Sequence, residues 1–154
     1  MLYDSFNKVY TKFKLHFYKE VFKKWRDREV SLTTVETFCM EIIHALGKPT
    51  VSEFASFTSL SSANAADKIN NLVKKGYLNK VQSDEDKRIY YLEVTKKYID
   101  YYNISYQYLK EVMSKLEDRF TTEENKVLEK MLRVMSEEIM AVSYTHLRAH
   151  ETGR

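Results

Sequence analysis

YLNKVQSDEDKRIYYLEVT, residues 77–95, is the stretch on which the fold turns. Its two ends, 77–82 and 88–94, are rich in β-branched and aromatic residues, and 83–87 between them is short and polar. Two such runs around a turn-forming tip read as the paired strands of a β-hairpin. Strand alternation then puts Tyr90, Leu92 and Val94 on one face. The tip is acidic, with Asp84, Glu85 and Asp86 directly before Lys87 and Arg88. A hairpin meant to approach a polyanion has to account for those carboxylates.

Upstream of the hairpin, Ala65, Ile69, Leu72 and Val73 recur at helical spacing in a segment running to about Lys75. Ser61 or Ser62 is placed to cap its first turn, and Gly76 stands where a left-handed stop residue belongs. Before it, Thr50 and Glu53 have the TxxE spacing of a capping box and open a short helix with Val51, Phe54 and Ala55 inward. PheThrSerLeuSerSer (57–62) is the break between the two helices. Short helices across a tight, Ser-rich turn make a helix-turn-helix candidate. Another TxxE box, Thr33 with Glu36, opens a helix whose inward face is expected to be Val35, Phe38, Cys39, Ile42, Ile43 and Leu46, ended by GlyLysPro (47–49). On that apolar face Cys39 reads as a buried thiol rather than a redox sensor, which needs exposure and a cationic neighbour. His44 lies at the helix end, where the dipole alone accounts for it.

Outward from this centre lie long helices. Leu2, Phe6, Val9, Tyr10, Phe13, Phe17, Val21, Phe22 and Trp25 form an apolar stripe at three- and four-residue steps. A stripe this long and aromatic exceeds what one small core can cover, so part of it is expected to pack on another subunit. At the other end, Thr95 is expected to cap a helix of roughly 96–118, and Thr121 with Glu124 supplies a third capping box for a helix to about Ala141. Charge is uneven: 8–28 carries a local +6, 61–97 a local +3 and 100–141 a local −3. Such runs are also what a solvated helix face looks like.

Composition narrows the function classes. With 154 residues, 44% hydrophobic and 31% charged, three Gly and one Pro, the chain is expected to be one largely helical domain. No apolar stretch approaches the ~18 residues of a membrane span and the start lacks a signal-peptide layout, so no membrane partner and a cytoplasmic location are expected. A single cysteine fits a reducing compartment. No Gly-rich phosphate loop, HExxH, CxxC or GxSxG occurs, so no catalytic residue, metal ligand or cofactor is assigned. VSYTHLRAHETGR (142–154) resembles a translated sequencing-adapter remnant and is expected to be a non-native tail. Its His146 and His150, with Glu151, imitate a helical metal pair but lack a third ligand. Without the tail the net charge falls from +3 to +2, which says little about partners.

AspLysArgIleTyrTyrLeuGluValThr (86–95) resembles the DxRxxxLxLT wing of the MarR family of bacterial regulators, with Asp86, Arg88, Leu92 and Thr95 on pattern and Val94 in place of a Leu. LeuValLysLysGlyTyrLeu (72–78) is similar to the family's LexxGL step, and SerLeuThrThrValGluThrPhe (31–38) to the segment opening its second helix. The resemblance covers roughly residues 5–140. It implies a mainly α fold with a small β-hairpin (α+β): a winged helix-turn-helix at 31–95, between dimerisation helices at 1–30 and 96–141. It also implies a homodimer that presents two winged helices to a palindromic site on double-stranded DNA, usually as a repressor, with a small aromatic or amphipathic effector altering occupancy.

The same resemblance assigns roles. Arg88 is the wing arginine and Asp86 the carboxylate that orients it, which gives the acidic tip a purpose; Asp84 and Glu85 remain ordinary turn residues. Ser61, Ser62, Asn64 and Lys68 on the recognition helix, with Lys87 on the wing, are expected to contact DNA. Asp67 stands where relatives often carry a base, and it either turns from the phosphates or reads a cytosine amino group. For the effector, His16, Tyr98, Tyr101 and Tyr102 are candidates, against the plainer reading that the tyrosines are packing. A competing function is a winged helix that binds proteins, which the near-neutral charge and acidic positions would suit.

Overall fold

The computed structural model describes residues 1–26 and 32–140, with the side chains of Trp25 and 103–105 left aside. The adapter-like tail, with His146, His150 and Glu151, lies outside the described residues. The chain divides into two compact units, Met1–Tyr106 and Gln107–Arg154. In the first, α1 (Leu2–Arg26), α2 (Thr34–Leu46), α3 (Val51–Thr58) and α4 (Ser62–Lys74) precede a hairpin of β1 (Leu78–Gln82) and β2 (Tyr90–Val94), and α5 (Lys96–Ser105) follows. The second holds α6 (Gln107–Arg119), α7 (Thr122–Val134) and a π-helical turn, Met135–Ile139.

All three TxxE boxes form. Thr33, Thr50 and Thr121 accept the amides of Glu36, Glu53 and Glu124, whose carboxylates accept the threonine amides in return. Each box satisfies two of the amide groups that a helix start leaves without partners. Ser61 caps α4 by accepting the Asn64 amide at 3.2 Å. At the far end of α4, Gly76 takes a left-handed φ of +83°, and the amides of Tyr77 and Gly76 return to the carbonyls of Leu72 and Val73. That closure turns the chain directly into β1. Ser59 does the same for α3 without a glycine, at φ +56°, so the helix-turn-helix bend carries some backbone strain.

The core lies between α2, α3, α4 and the hairpin. Met40, Ile43, Phe54, Ala65, Ile69, Leu72, Leu78, Leu92 and Tyr98 are at most 1% exposed. Burial of each large side chain stabilises by about 1.5–3 kcal/mol before entropy is counted. The strands pair antiparallel with Leu78 opposite Val94 and Gln82 opposite Tyr90. The Leu92 amide also donates to the Pro49 carbonyl at 2.8 Å, so the chain entering α3 joins the far side of β2.

Several expectations are corrected. The strands are shorter than 77–82 and 88–94. Val35 and Phe38 point outward, because α2 is turned to bury Glu36 and Thr37. Thr37 Oγ1 donates to the Thr33 carbonyl at 2.9 Å and Lys75 Nζ reaches Glu36 Oε1 at 2.8 Å, while Glu36 Oε2 is buried without a hydrogen-bond partner among the described residues. Val73 is likewise exposed. The helix expected over 96–118 is two helices, broken at Tyr106. Thr95 does not cap with its side chain; its hydroxyl donates to the Gly76 carbonyl at 2.7 Å, beside Lys97 Nζ on the Lys75 carbonyl at 2.8 Å. Both contacts satisfy carbonyls at the exit of α4. Regular α-helix stops at Val134, and the Met140 amide then donates five residues back, to Met135.

The terminal helices bury little. Residues 1–10 are all exposed, including Leu2, Tyr3, Phe6, Val9 and Tyr10. No residue of α6, α7 or the π-helical turn is buried, although Val127, Met131, Leu132, Ile139 and Met140 are apolar. No described helix is long and apolar enough to cross a membrane.

Candidate nucleic-acid interface

The hairpin tip is built around Ser83 and Asp86. Ser83 Oγ accepts the amides of Glu85 and Asp86 at 3.3 and 3.4 Å, which folds the acidic residues into a turn. Asp86 Oδ1 accepts the Arg88 amide at 3.0 Å and Arg88 Nε at 3.1 Å, while Oδ2 accepts Nη2 at 3.0 Å. A two-pronged guanidinium–carboxylate contact of this kind fixes direction as well as distance. The Arg88 guanidinium, with the Arg88 amide, holds the Asp86 carboxyl below the usual carboxylate range, so the pair is fully charged at neutral pH. Arg88 itself remains 90% exposed at the end of the wing. Lys87 is exposed beside it, its carbonyl accepting Gln82 Nε2 at 2.8 Å. Asp84 and Glu85 are exposed.

On α4, Ala65, Ile69 and Leu72 are buried, so the opposite face carries Asn64, Asp67, Asn71 and Lys74, all exposed. Ser61 and Ser62 are exposed at its start. Lys68 sits on the flank and is half-buried, close enough to the interior for its charge to reach Cys39. Asp67 lies in the middle of that outward face. Asn71 and Lys74 join the candidates here, and the 3.6-residue period of the buried set was the signal for them. Cys39 is buried, and burial pushes its thiol up, out of the reactive range.

Three of the four effector candidates are neighbours, the Tyr98 ring centroid lying 5.9 Å from that of Tyr101 and 6.1 Å from that of Tyr102. Tyr98 is fully buried, and Tyr101 is buried beneath Lys24, whose Nζ lies 3.6 Å from the ring centroid and 3.2 Å from the Tyr101 carbonyl. His16 lies 3.9 Å from Glu20 on its own helix. Tyr98 and Tyr102 also join a cluster with Glu41 and His44 of α2 and Tyr106. Tyr98 donates to Glu41 Oε1 at 2.9 Å and Tyr106 to Oε2. Tyr102 stacks on Tyr106 at 4.2 Å between centroids, with His44 at 4.3 Å on Tyr102 and Phe17 at 6.3 Å from Tyr106. Burial, then the nearby carboxylate, pushes the Tyr98 and Tyr106 hydroxyls up, so both stay protonated donors. Sequence reasoning missed Glu41 because its two partners lie 57 and 65 residues away. Among the described residues no cluster of three metal-ligating side chains occurs.

Residues 32–90 match the MarR family model. No curated protein matches the chain. Among solved structures, it is similar to a MarR protein from Peptoclostridium difficile (23% identity over 92% of this chain and 91% of that one, TM-score 0.54). FabT of Streptococcus pneumoniae, solved in complex with DNA, matches at 22% identity over 91% and 99% of the two chains, with a TM-score of 0.55. A mutant MepR from S. aureus matches at 14% over 90% and 97%, with a TM-score of 0.66. Those identities establish a shared fold, and the family model covers both the helix-turn-helix and the wing tip. The winged-helix segment of the chain thus resembles the MarR family, and the whole chain shares the fold of these solved structures.

Proposed function

We propose that the chain acts as a homodimer on a palindromic operator near its own gene, represses transcription there, and is released by a small amphipathic molecule. The observation that carries this reading is the wing: an exposed arginine already aimed by a carboxylate, next to a recognition helix with a polar outward face. Preorganisation matters because a free arginine loses side-chain entropy on docking, and the Asp86 contact has removed part of that cost beforehand. Arg88 enters the minor groove, while Ser61, Ser62, Asn64, Lys68 and Lys87 meet phosphates or base edges. Dimerisation is supported by the terminal helices. Helices without a buried apolar face are marginal in water, and a second copy offers a matching apolar surface. Two-fold symmetry then sets the recognition helices about 34–36 Å apart.

Gel shift on duplexes from the region upstream of the gene tests the reading. The parent chain is expected to retard a duplex containing an inverted repeat, and Arg88→Ala to bind it about tenfold more weakly with a salt slope smaller by about 1. Dimer mass, measured by light scattering, is expected to be unchanged in that variant. Outward Asp67 with exposed Asp84 and Glu85 supports a second reading, a winged helix that docks a basic protein. Absence of any retardation on generic duplex even at low salt favours that alternative, because phosphate neutralisation underlies non-specific affinity.

A further inference from the structure

The outward face of α4 has a carboxylate at its centre. Burial of Ala65, Ile69 and Leu72 sets Asp67 opposite the core, with Ala63 and Asn64 one turn before it and Asn70 and Asn71 one turn after, all exposed. None of those four neighbours is a base, so no partner three or four residues away neutralises the charge on the helix surface. Elsewhere, Glu36, Asp86 and Asp100 each hold a base at 2.8 to 3.0 Å. Among the described residues no hydrogen bond or ion pair engages the Asp67 side chain. Its acceptor oxygens are therefore open to an external donor.

Base edges differ in how they receive a carboxylate, which only accepts hydrogen bonds. In the major groove guanine offers the acceptors N7 and O6, and thymine the acceptor O4 and a methyl group. Adenine places an amino group beside the N7 acceptor, whereas cytosine offers its N4 amino group alone. A carboxylate is thus satisfied by cytosine and opposed by guanine or thymine. Exposed Lys74 and half-buried Lys68 on the same helix are left for the phosphates on either side.

We infer that Asp67 is a specificity determinant that reads the amino edge of one cytosine in each half-site. This deepens the regulatory reading and rests on it, since α4 has to be the helix that meets the duplex. The carboxylate opposes every duplex through the phosphates and opposes least the one that presents cytosine to it, so it selects by exclusion.

Selection by gel shift from a duplex library with a randomised centre tests this, with the full chain as parent and as Asp67→Ala. The parent is expected to enrich half-sites that share a cytosine. Asp67→Ala is expected to lose roughly tenfold of the discrimination at that one position and to keep the rest of the motif, which loss of structure alone does not produce. Circular dichroism checks that the variant folds. A second measurement uses the parent's selected duplex with N4-methylcytosine at that position, which still pairs but replaces the groove-facing amino proton by a methyl group. Parent affinity is expected to fall roughly tenfold on that duplex. The same motif in parent and variant, a base other than cytosine at the position the variant relaxes, or unchanged parent affinity for the methylated duplex overturns the assignment and leaves the regulator standing. Failure of the parent to enrich or retard any duplex removes the DNA-binding reading itself, and this assignment with it.

Discussion

Asp86 and Arg88 stand two residues apart on a turn, and the three hydrogen bonds between them make one structural unit of an acid and a base. Because the folded Asp86 pKa is depressed, the paired form is complete above the ordinary carboxylate range and is lost only as pH falls through the lowered value. Asp86→Ala is therefore expected to weaken operator binding less than Arg88→Ala, by a few-fold, and the deficit is expected to be flat between about pH 6 and 8. Fluorescence anisotropy at several pH values measures it; a deficit that grows across that range would mean another group orients the arginine. Asp67 makes a second residue-level case. Facing outward from α4, it opposes phosphate approach, so Asp67→Asn is expected to tighten binding to generic duplex a few-fold at low salt. Unchanged affinity would place that face of α4 away from the DNA.

At the scale of elements, the Glu36–Lys75 pair ties α2 to the exit of α4. Burial opposes ionisation of Glu36, but the Lys75 ammonium and the Thr33 amide and hydroxyl outweigh it and leave the carboxyl below its usual range. The resulting stabilisation is complete above the ordinary value of 4.5 and disappears as pH falls through the lower folded value. Glu36→Gln is expected to cost about 1–2 kcal/mol at neutral pH, with the gap to the parent closing in acid, as read by urea melts at several pH values. At the helix-turn-helix bend, Ser59→Gly is expected to stabilise by up to about 1 kcal/mol in thermal melts, since glycine takes the left-handed conformation without the Cβ penalty. Local chemistry made such elements readable: TxxE boxes, Gly76 and the hairpin alternation all act within a few residues. The inward faces of α2 and α4 were less legible. Val35 and Phe38 look like core by periodicity, yet the buried Glu36 in between draws on Lys75, 39 residues away. The break at Tyr106 has no Gly or Pro to announce it, and the Glu41 cluster is assembled wholly by tertiary contacts.

For the whole molecule, the apolar surface of α1, α6 and α7 decides the account. Leu2 is 87% exposed, Ile139 72% and Met131 61%, in helices that would gain little stability alone. In the proposed dimer a second copy would cover those faces and place two recognition helices and two wings on one duplex, which a single winged helix cannot do. Sedimentation equilibrium of the full chain at low micromolar concentration, without DNA, tests this most directly. A single species at twice the 18.4 kDa protomer mass is expected. A stable species at the protomer mass would contradict it.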